Sequence, residues 1–355
     1  MNPSPRRWIM ISFAFSATVI NYLDRQTLSV SAPVLRERFH MSNTEYSYVL
    51  FAFLLAYTIM NGVSGTLIDR IGTRLGYAAC VAWWSTAAVL HALARGALSL
   101  GFFRFLLGMG EAGNWPAGVK VVAEWFPERS TYREPSDAVK EGNALATPAW
   151  RLIRTRFVAT FTLSKIFMDP AWYFYIFWFP EYLKRARNFD MAAIGKYAWI
   201  PFAVAGFGNL LGGLLSGFLL RRGFSVTSAR KVSVTFFALL MTSAIPAVIV
   251  RDAGSSIGLV SLAMLGYTGS LANMLAMPSD VFPKNAAASV YGLASTGSGF
   301  GGMLFTLMTG WAVDHYSYKP VFFGFGIMPI ICTLILWTML GPLCATRQTT
   351  DAIPL

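Results

Sequence analysis

The chain has 355 residues, of which 55% are hydrophobic and only 13% charged, and its mean hydropathy is +0.50. A soluble domain carries about 25% charged residues, so soluble classes are excluded, nucleic-acid binders among them. The class that remains is an all-α polytopic membrane protein, and the net charge of +12 belongs mostly to the loops that orient it.

Apolar runs bounded by charge, Pro and Gly predict spans near residues 8 to 33, 44 to 68, 74 to 94 and 97 to 122, then a polar segment to about 156. Six more follow near 158 to 183, 194 to 220, 230 to 250, 256 to 279, 286 to 312 and 320 to 343. Each has the ~20 residues needed to cross ~30 Å of hydrocarbon. The first run follows Arg6 and Arg7, lacks a small-residue cleavage site and contains Asn21, Asp24 and Arg25, so it reads as a span and not as a removable signal. The expected domains are an N-terminal bundle of four spans (1–128), a cytoplasmic linker (129–156), a C-terminal bundle of six (157–345) and a cytoplasmic tail (346–355). Ten spans put both termini on one side. That side would carry sixteen Lys and Arg against nine on the other, which predicts that both termini are cytoplasmic.

The chain also repeats itself. Gly65, followed by the charged turn Asp69-Arg70-Ile71-Gly72-Thr73-Arg74, stands between the second and third spans; Gly217, followed by Arg221-Arg222-Gly223, stands between the sixth and seventh. Two spans further on come Glu124-Trp125-Phe126-Pro127-Glu128 and Asp280-Val281-Phe282-Pro283-Lys284, with offsets of 152 and 156. Parallel halves of this kind are a transporter signature, because two matched bundles can rock about a site between them. After Pro283 two full spans follow, whereas after Pro127 the chain is polar to Arg156. The repeat therefore implies a six-plus-six plan that has lost its fifth and sixth spans around Ser130 to Tyr132.

These residues resemble the major facilitator superfamily, in its anion:cation symporter branch, and most of all its hexuronate and galactonate-type sugar-acid transporters. The resemblance rests on Asn21-Tyr22-Leu23-Asp24-Arg25, the Gly65 to Arg74 loop, and Arg104-Phe105-Leu106-Leu107-Gly108 with Glu111. In the second half it rests on Lys165, Asp169-Pro170, Trp172 to Tyr175, Trp178-Phe179-Pro180, Trp199 to Phe202, Gly208-Asn209 and Ser279 to Pro283. It implies a major facilitator fold with two pseudo-repeated bundles, here an incomplete four plus six, in a bacterial inner membrane. The function it implies is proton-coupled symport of a sugar acid, a hexuronate or aldonate, by alternating access. The expected partners are a small anionic substrate and the lipid bilayer, for a monomer that needs no cofactor beyond a coupling H⁺. The alternative reading is a truncated family member with no complete permeation path.

Ionisable groups at membrane depth are functional candidates by default, since each costs ~3 kcal/mol or more there. Asp24 and Arg25 either pair with each other or diverge, because neighbouring helical residues point about 100° apart. Arg104 and Glu111 stand seven apart on one helix face and either pack together or serve a ligand. The resemblance implies that Arg25 and Arg104 hold the substrate carboxylate, a task suited to the bidentate guanidinium. It implies that Asp24 and Glu111 carry the coupling proton and that Tyr22 and Tyr57 donate hydroxyls to the sugar. Lys165 and Asp169 stand at i and i+4, with Trp172 and Tyr173 a turn further, and form either a structural bridge bounding an aromatic cavity wall or a substrate contact. Asn209 either bonds a substrate hydroxyl or bridges helices. Asp69, Arg70 and Arg74 read as a gating latch at the helix ends.

Pro116, Pro170, Pro201 and Pro278 are expected to kink or end helices, and the Gly206 to Gly213 and Gly297 to Gly302 runs to pack helices. Cys80, Cys332 and Cys344 have no ligand spacing and read as packing residues. His91 and His315 have no partner spacing, no metal site is expected, and no phosphate loop, zinc spacing or nucleophile elbow points to an enzyme. One departure from the family pattern stands out: Ser270, in Tyr267-Thr268-Gly269-Ser270, occupies the place where hexuronate-type members resemble a Trp that would stack on sugar.

Overall fold

Helices and the turns between them account for the whole computed structural model, which describes residues 6–125, 155–281, 284–341 and 343. Most of the expected 129–156 linker, the 346–355 tail and Cys344 fall outside those residues. The chain divides into two compact units, residues 1–147 and 148–355.

The first unit holds α1 (Arg6–Arg38), α2 (Asn43–Ile71), α3 (Thr73–Leu90), a single 3-10 turn (His91–Leu93), α4 (Ala97–Glu111) and α5 (Asn114–Trp125). The corner after α1 turns through His40, a non-glycine with φ 51°, and is fastened by buried Arg36. Its guanidinium donates to Met41 O from Nε and Nη2 (3.3 and 3.2 Å) and to Asn43 Oδ1 from Nη1 (2.5 Å). Ser42 then starts α2 with a reciprocal cap, Glu45 N–H donating to Ser42 Oγ at 3.0 Å and Ser42 N–H to Glu45 Oε2 at 2.8 Å. Between α2 and α4 the backbones approach closely at Gly108, where a Cβ would fall 2.5 Å from Phe53 O. That approach carries Arg104 and Glu111 into the bundle.

The second unit holds α6 (Arg156–Met168), α7 (Pro170–Arg187), α8 (Met191–Tyr197), α9 (Ile200–Arg221), α10 (Val226–Met241), α11 (Ala244–Ile249), α12 (Ala253–Val281), α13 (Lys284–His315) and α14 (Tyr318–Met339). The glycine runs pack as expected at their contacting positions: Gly208 and Gly212 lie against Thr268 and Gly269 of α12, and Gly297 and Gly301 against Thr162 and Ile166 of α6. An aromatic core forms where Phe174 of α7 meets Phe322 and Phe325 of α14, with ring centroids 5.2 and 4.9 Å apart. The paired turns of the internal repeat share one backbone feature. Gly72 has φ 87° and Gly223 φ 88°, a region that only glycine enters without strain.

Four of the ten expected spans are pairs of helices, broken at Ala112–Gly113, Asp169, Ala198–Trp199 and Thr242–Ser243. Pro170 and Pro201 sit at the starts of α7 and α9, and Pro116 in the first turn of α5, positions where a missing N–H leaves no bond unmade. Pro278 alone of the four lies inside a helix, α12. Two membrane-depth carboxylates coincide with breaks: Glu111 ends α4, and Asp169 separates α6 from α7.

Large apolar side chains face outward along these helices. Leu98 is 91% exposed, Phe15 69% and Phe207 62%, a surface that water would penalise and lipid solvates. By length and composition alone, Met191–Arg221, Val226–Ile249, Ala253–Pro278 and Tyr318–Met339 can each cross a membrane. The protein is a multi-pass helical membrane protein. Cys80 and Cys332 are free thiols, Cys332 buried.

Candidate substrate-binding site

The site in the first unit is built from α1, α2 and α4. On α4 the spacing Leu100, Arg104, Leu107, Gly108, Glu111 places one face inward, and Arg104 and Glu111 are 1% and 0% exposed. On α1, Asn21, Arg25 and Ser29 recur every fourth residue on the face that is buried. Arg25 Nε lies 2.6 Å from Glu111 Oε2. The guanidinium of Arg25 is enclosed by three rings, its Cζ 4.6 Å from the Tyr57 centroid, 5.2 Å from Phe53 and 5.5 Å from Tyr22. One turn from Glu111, Asn114 ties three helices together: its Oδ1 accepts from Tyr77 OH at 2.7 Å, and its Nδ2 donates to Thr18 Oγ1 at 3.2 Å. This clamp was not anticipated from sequence, although a buried Asn in an apolar span is its recognisable signal.

Both open pairings are thus settled geometrically. Arg25 pairs with Glu111 across helices, not with its neighbour Asp24, and Arg104 pairs with neither. Asp24 makes no ion pair among the described residues. Arg104 packs its guanidinium over Phe53, Cζ 5.7 Å from the ring, and its Nε and Nη1 have no hydrogen-bond partner. Asn21 Oδ1 and Nδ2, Arg25 Nη2, Ser29 Oγ and Glu111 Oε1 are also buried and unpartnered. Each such atom costs ~1–3 kcal/mol, so their concentration on facing helices marks a place built to receive polar groups. A cavity of about 370 Å³ opens beside Arg104, between α1, α3 and α4, and Asp24, Thr27, Ser31, Arg38 and His91 also line it.

In the second unit, Lys165 and Asp169 form a buried ion pair, Nζ to Oδ2 2.8 Å, with side chains 2% and 4% exposed. Tyr267 OH donates to Asp169 Oδ1 at 3.2 Å, and the Trp172 ring stacks on Tyr267 with centroids 5.1 Å apart. Phe202 meets Trp172 edge-on at 6.0 Å. Tyr173 turns elsewhere, its OH 3.4 Å from Ser298 Oγ on α13. Lys165, Asp169 and Trp172 are therefore brought together, and Tyr173 is not. Asn209 is exposed on α9. Ser270 is buried, with its Oγ donating to Val234 O at 3.3 Å, so the ring on this stretch of α12 that stacks is Tyr267.

Of the expected latch, Arg70 and Arg74 are exposed at the α2–α3 turn, and the Asp69 side chain is outside the described set. The second unit has a network there that sequence reading missed. Arg230 Nε lies 2.9 Å from Asp280 Oδ2, and its Nη1 is 3.2 Å from Ser216 Oγ and 3.4 Å from Asn273 Oδ1. The acid of the repeated Phe-Pro motif is the signal that pointed to it.

The profile of the Major Facilitator Superfamily matches residues 14–133, 128–306 and 227–350. The chain belongs to the major facilitator superfamily, and it is a transporter, not an enzyme. It is similar to the hexuronate transporter of Escherichia coli strain K12, 26% identical over 408 residues covering 94% of each chain. It is similar also to the galacturonate transporter of Dickeya chrysanthemi, 30% identical over 307 residues, 66% of this chain and 89% of that one. The D-galactonate transporter of Escherichia coli O6:H1 is 23% identical over 96% of each. A solved structure of a bacterial homolog to the human lysosomal transporter Spinster, inward-facing and occupied, shares the fold with TM-score 0.65, at 15% identity over 94% of each chain.

The match to the hexuronate transporter runs over 408 positions against 355 residues in this chain, so more than fifty positions have no residue here. Only residues 126–154 lie between α5 and Thr155, too few for two spans of ~20 residues. The chain has the superfamily's plan without its fifth and sixth helices.

Proposed function

We propose that the protein carries a sugar acid, a hexuronate or aldonate, across the bacterial inner membrane in symport with protons by alternating access. The observation that supports this reading best is Arg104, a fully buried guanidinium with two unpartnered donors beside a cavity of about 370 Å³. A guanidinium keeps its charge when buried and offers a planar fork, which suits a carboxylate. Arg25, closed on Glu111, would be the second carboxylate ligand. Protonation of Glu111 would release it, so that proton and anion bind interdependently. Asp24, unpaired on the cavity wall, would be the second proton carrier. Tyr22 and Tyr57 would shape the Arg25 side and offer hydroxyls to the sugar, Lys165, Asp169 and Trp172 would form a polar and aromatic wall within the second unit, and Asp69, Arg70 and Arg74 would control the conformational step. The names of the three relatives, all transporters of sugar acids, support the substrate class. The excess of basic residues on one side supports cytoplasmic termini, and the monomer is the working unit.

The missing two helices favour a second reading, a family member that binds but does not transport. Purified protein in proteoliposomes separates them through uptake of labelled D-glucuronate and D-galactonate with an imposed inward proton gradient. Uptake that collapses with the gradient supports symport. Uptake indifferent to the gradient removes proton coupling, and folded protein that takes up neither substrate supports the non-transporting reading.

A further inference from the structure

His91 is a residue the transport reading leaves without a task. It sits in the 3-10 turn after α3 and lines the same cavity as Arg104. Its Nδ1 lies 2.8 Å from Ala87 O. A carbonyl can only accept, so Nδ1 carries the proton and the other ring nitrogen of the neutral imidazole presents a lone pair. That nitrogen, Nε2, is buried and has no partner. Two residues of one cavity wall therefore carry complementary unmet demands: Arg104 Nε and Nη1 lack an acceptor, and His91 Nε2 lacks a donor. Thr27 does not supply one, because its hydroxyl donates to Leu23 O at 2.8 Å. Much of the remaining wall is apolar, and the volume lies in the range of small-molecule sites.

We infer that His91 is a specificity residue whose Nε2 accepts a hydrogen bond from a hydroxyl of an anion held by Arg104, so that the first unit selects hydroxy-carboxylates over plain carboxylates. This rests on the proposed sugar-acid reading and adds to it a hydroxyl-reading contact. A plain carboxylate satisfies Arg104 and leaves the imidazole lone pair unmet, a deficit that a buried acceptor converts into discrimination.

The test is isothermal titration of the purified full chain with D-glucuronate and with cyclohexanecarboxylate, a ring acid of similar size without hydroxyls. His91→Leu should weaken D-glucuronate by about tenfold and leave cyclohexanecarboxylate within about twofold. His91→Gln, whose amide oxygen can accept, should recover part of the loss, which a purely structural role for the imidazole would not produce. Arg104→Met should abolish binding of both. Binding of both acids to the unsubstituted protein with equal effects of His91→Leu on each, or with none, overturns this inference alone. No binding of D-glucuronate to the unsubstituted, folded protein overturns the sugar-acid reading together with it.

Discussion

Arg25 Nε lies 2.6 Å from Glu111 Oε2, while Arg104, two turns before Glu111 on the same helix, keeps two donors unpartnered. Two arginines at membrane depth are thus in opposite electrostatic situations. One is neutralised by a carboxylate and boxed by aromatic rings. The other is held without an ion pair by the packing of α2 against α4.

That contrast predicts opposite effects on stability. Arg25→Met strands Glu111 as a buried charge and should destabilise the protein by ~3–5 kcal/mol. Arg104→Met keeps the apolar stem and removes a buried cation with two unpartnered donors, so stability should be unchanged or higher. Thermal unfolding in detergent, followed by tryptophan fluorescence, reads both. Equal destabilisation by the two would contradict the assignment.

Glu111→Gln should separate exchange from coupling. The amide still accepts a hydrogen bond from Arg25 but cannot carry a proton, so counterflow of labelled D-glucuronate should persist while accumulation driven by a proton gradient is lost. Gradient-driven accumulation surviving in this variant removes Glu111 from the proton path.

For the second unit, Lys165→Met should cost ~3–5 kcal/mol, because Asp169 keeps only its bond from Tyr267 among the contacts described above. Lys165→Met combined with Asp169→Leu should recover much of that loss, since an apolar pair replaces a buried ion pair at little net cost. A double variant no more stable than the single would show that Asp169 does more than neutralise Lys165.

The α9–α12 crossing is tested by two adjacent glycines. A Cβ at Gly212 would run into Gly269 O, whereas one at Gly213 meets nothing within 4 Å. Gly212→Ala should destabilise by ~1–3 kcal/mol through overpacking, and Gly213→Ala should be neutral or mildly stabilising. Melting temperatures of the two variants give the comparison directly.

Most of the architecture was legible because membrane helices advertise themselves by length and apolar content, and the repeat of Gly65 to Arg74 in Gly217 to Gly223 located both tight turns. The helix breaks were less legible. Pro116, Pro170 and Pro201 marked the breaks before α5, α7 and α9, whereas the break at Thr242–Ser243 was not among the expected ones. For the site, the ionisable residues were visible because charge is rare at that depth, but their partners were not. Whether Arg25 meets Asp24 or Glu111 depends on helix rotation, and whether Arg104 is paired depends on how closely α4 approaches α2 at Gly108. The Asn114 clamp and the tautomer of His91 arise from contacts between turns or helices that no linear spacing encodes.

The most direct measurement is the unfolding temperature of the purified protein against D-glucuronate concentration, for the unsubstituted chain and for Arg104→Met. A ligand that binds only the folded state adds about 2.7 kcal/mol of stability at a hundred times its Kd. The expected result is a progressive rise for the unsubstituted chain and a flat response for Arg104→Met. An equal rise in both would contradict the claim that the buried, unpartnered Arg104 is what holds the anion.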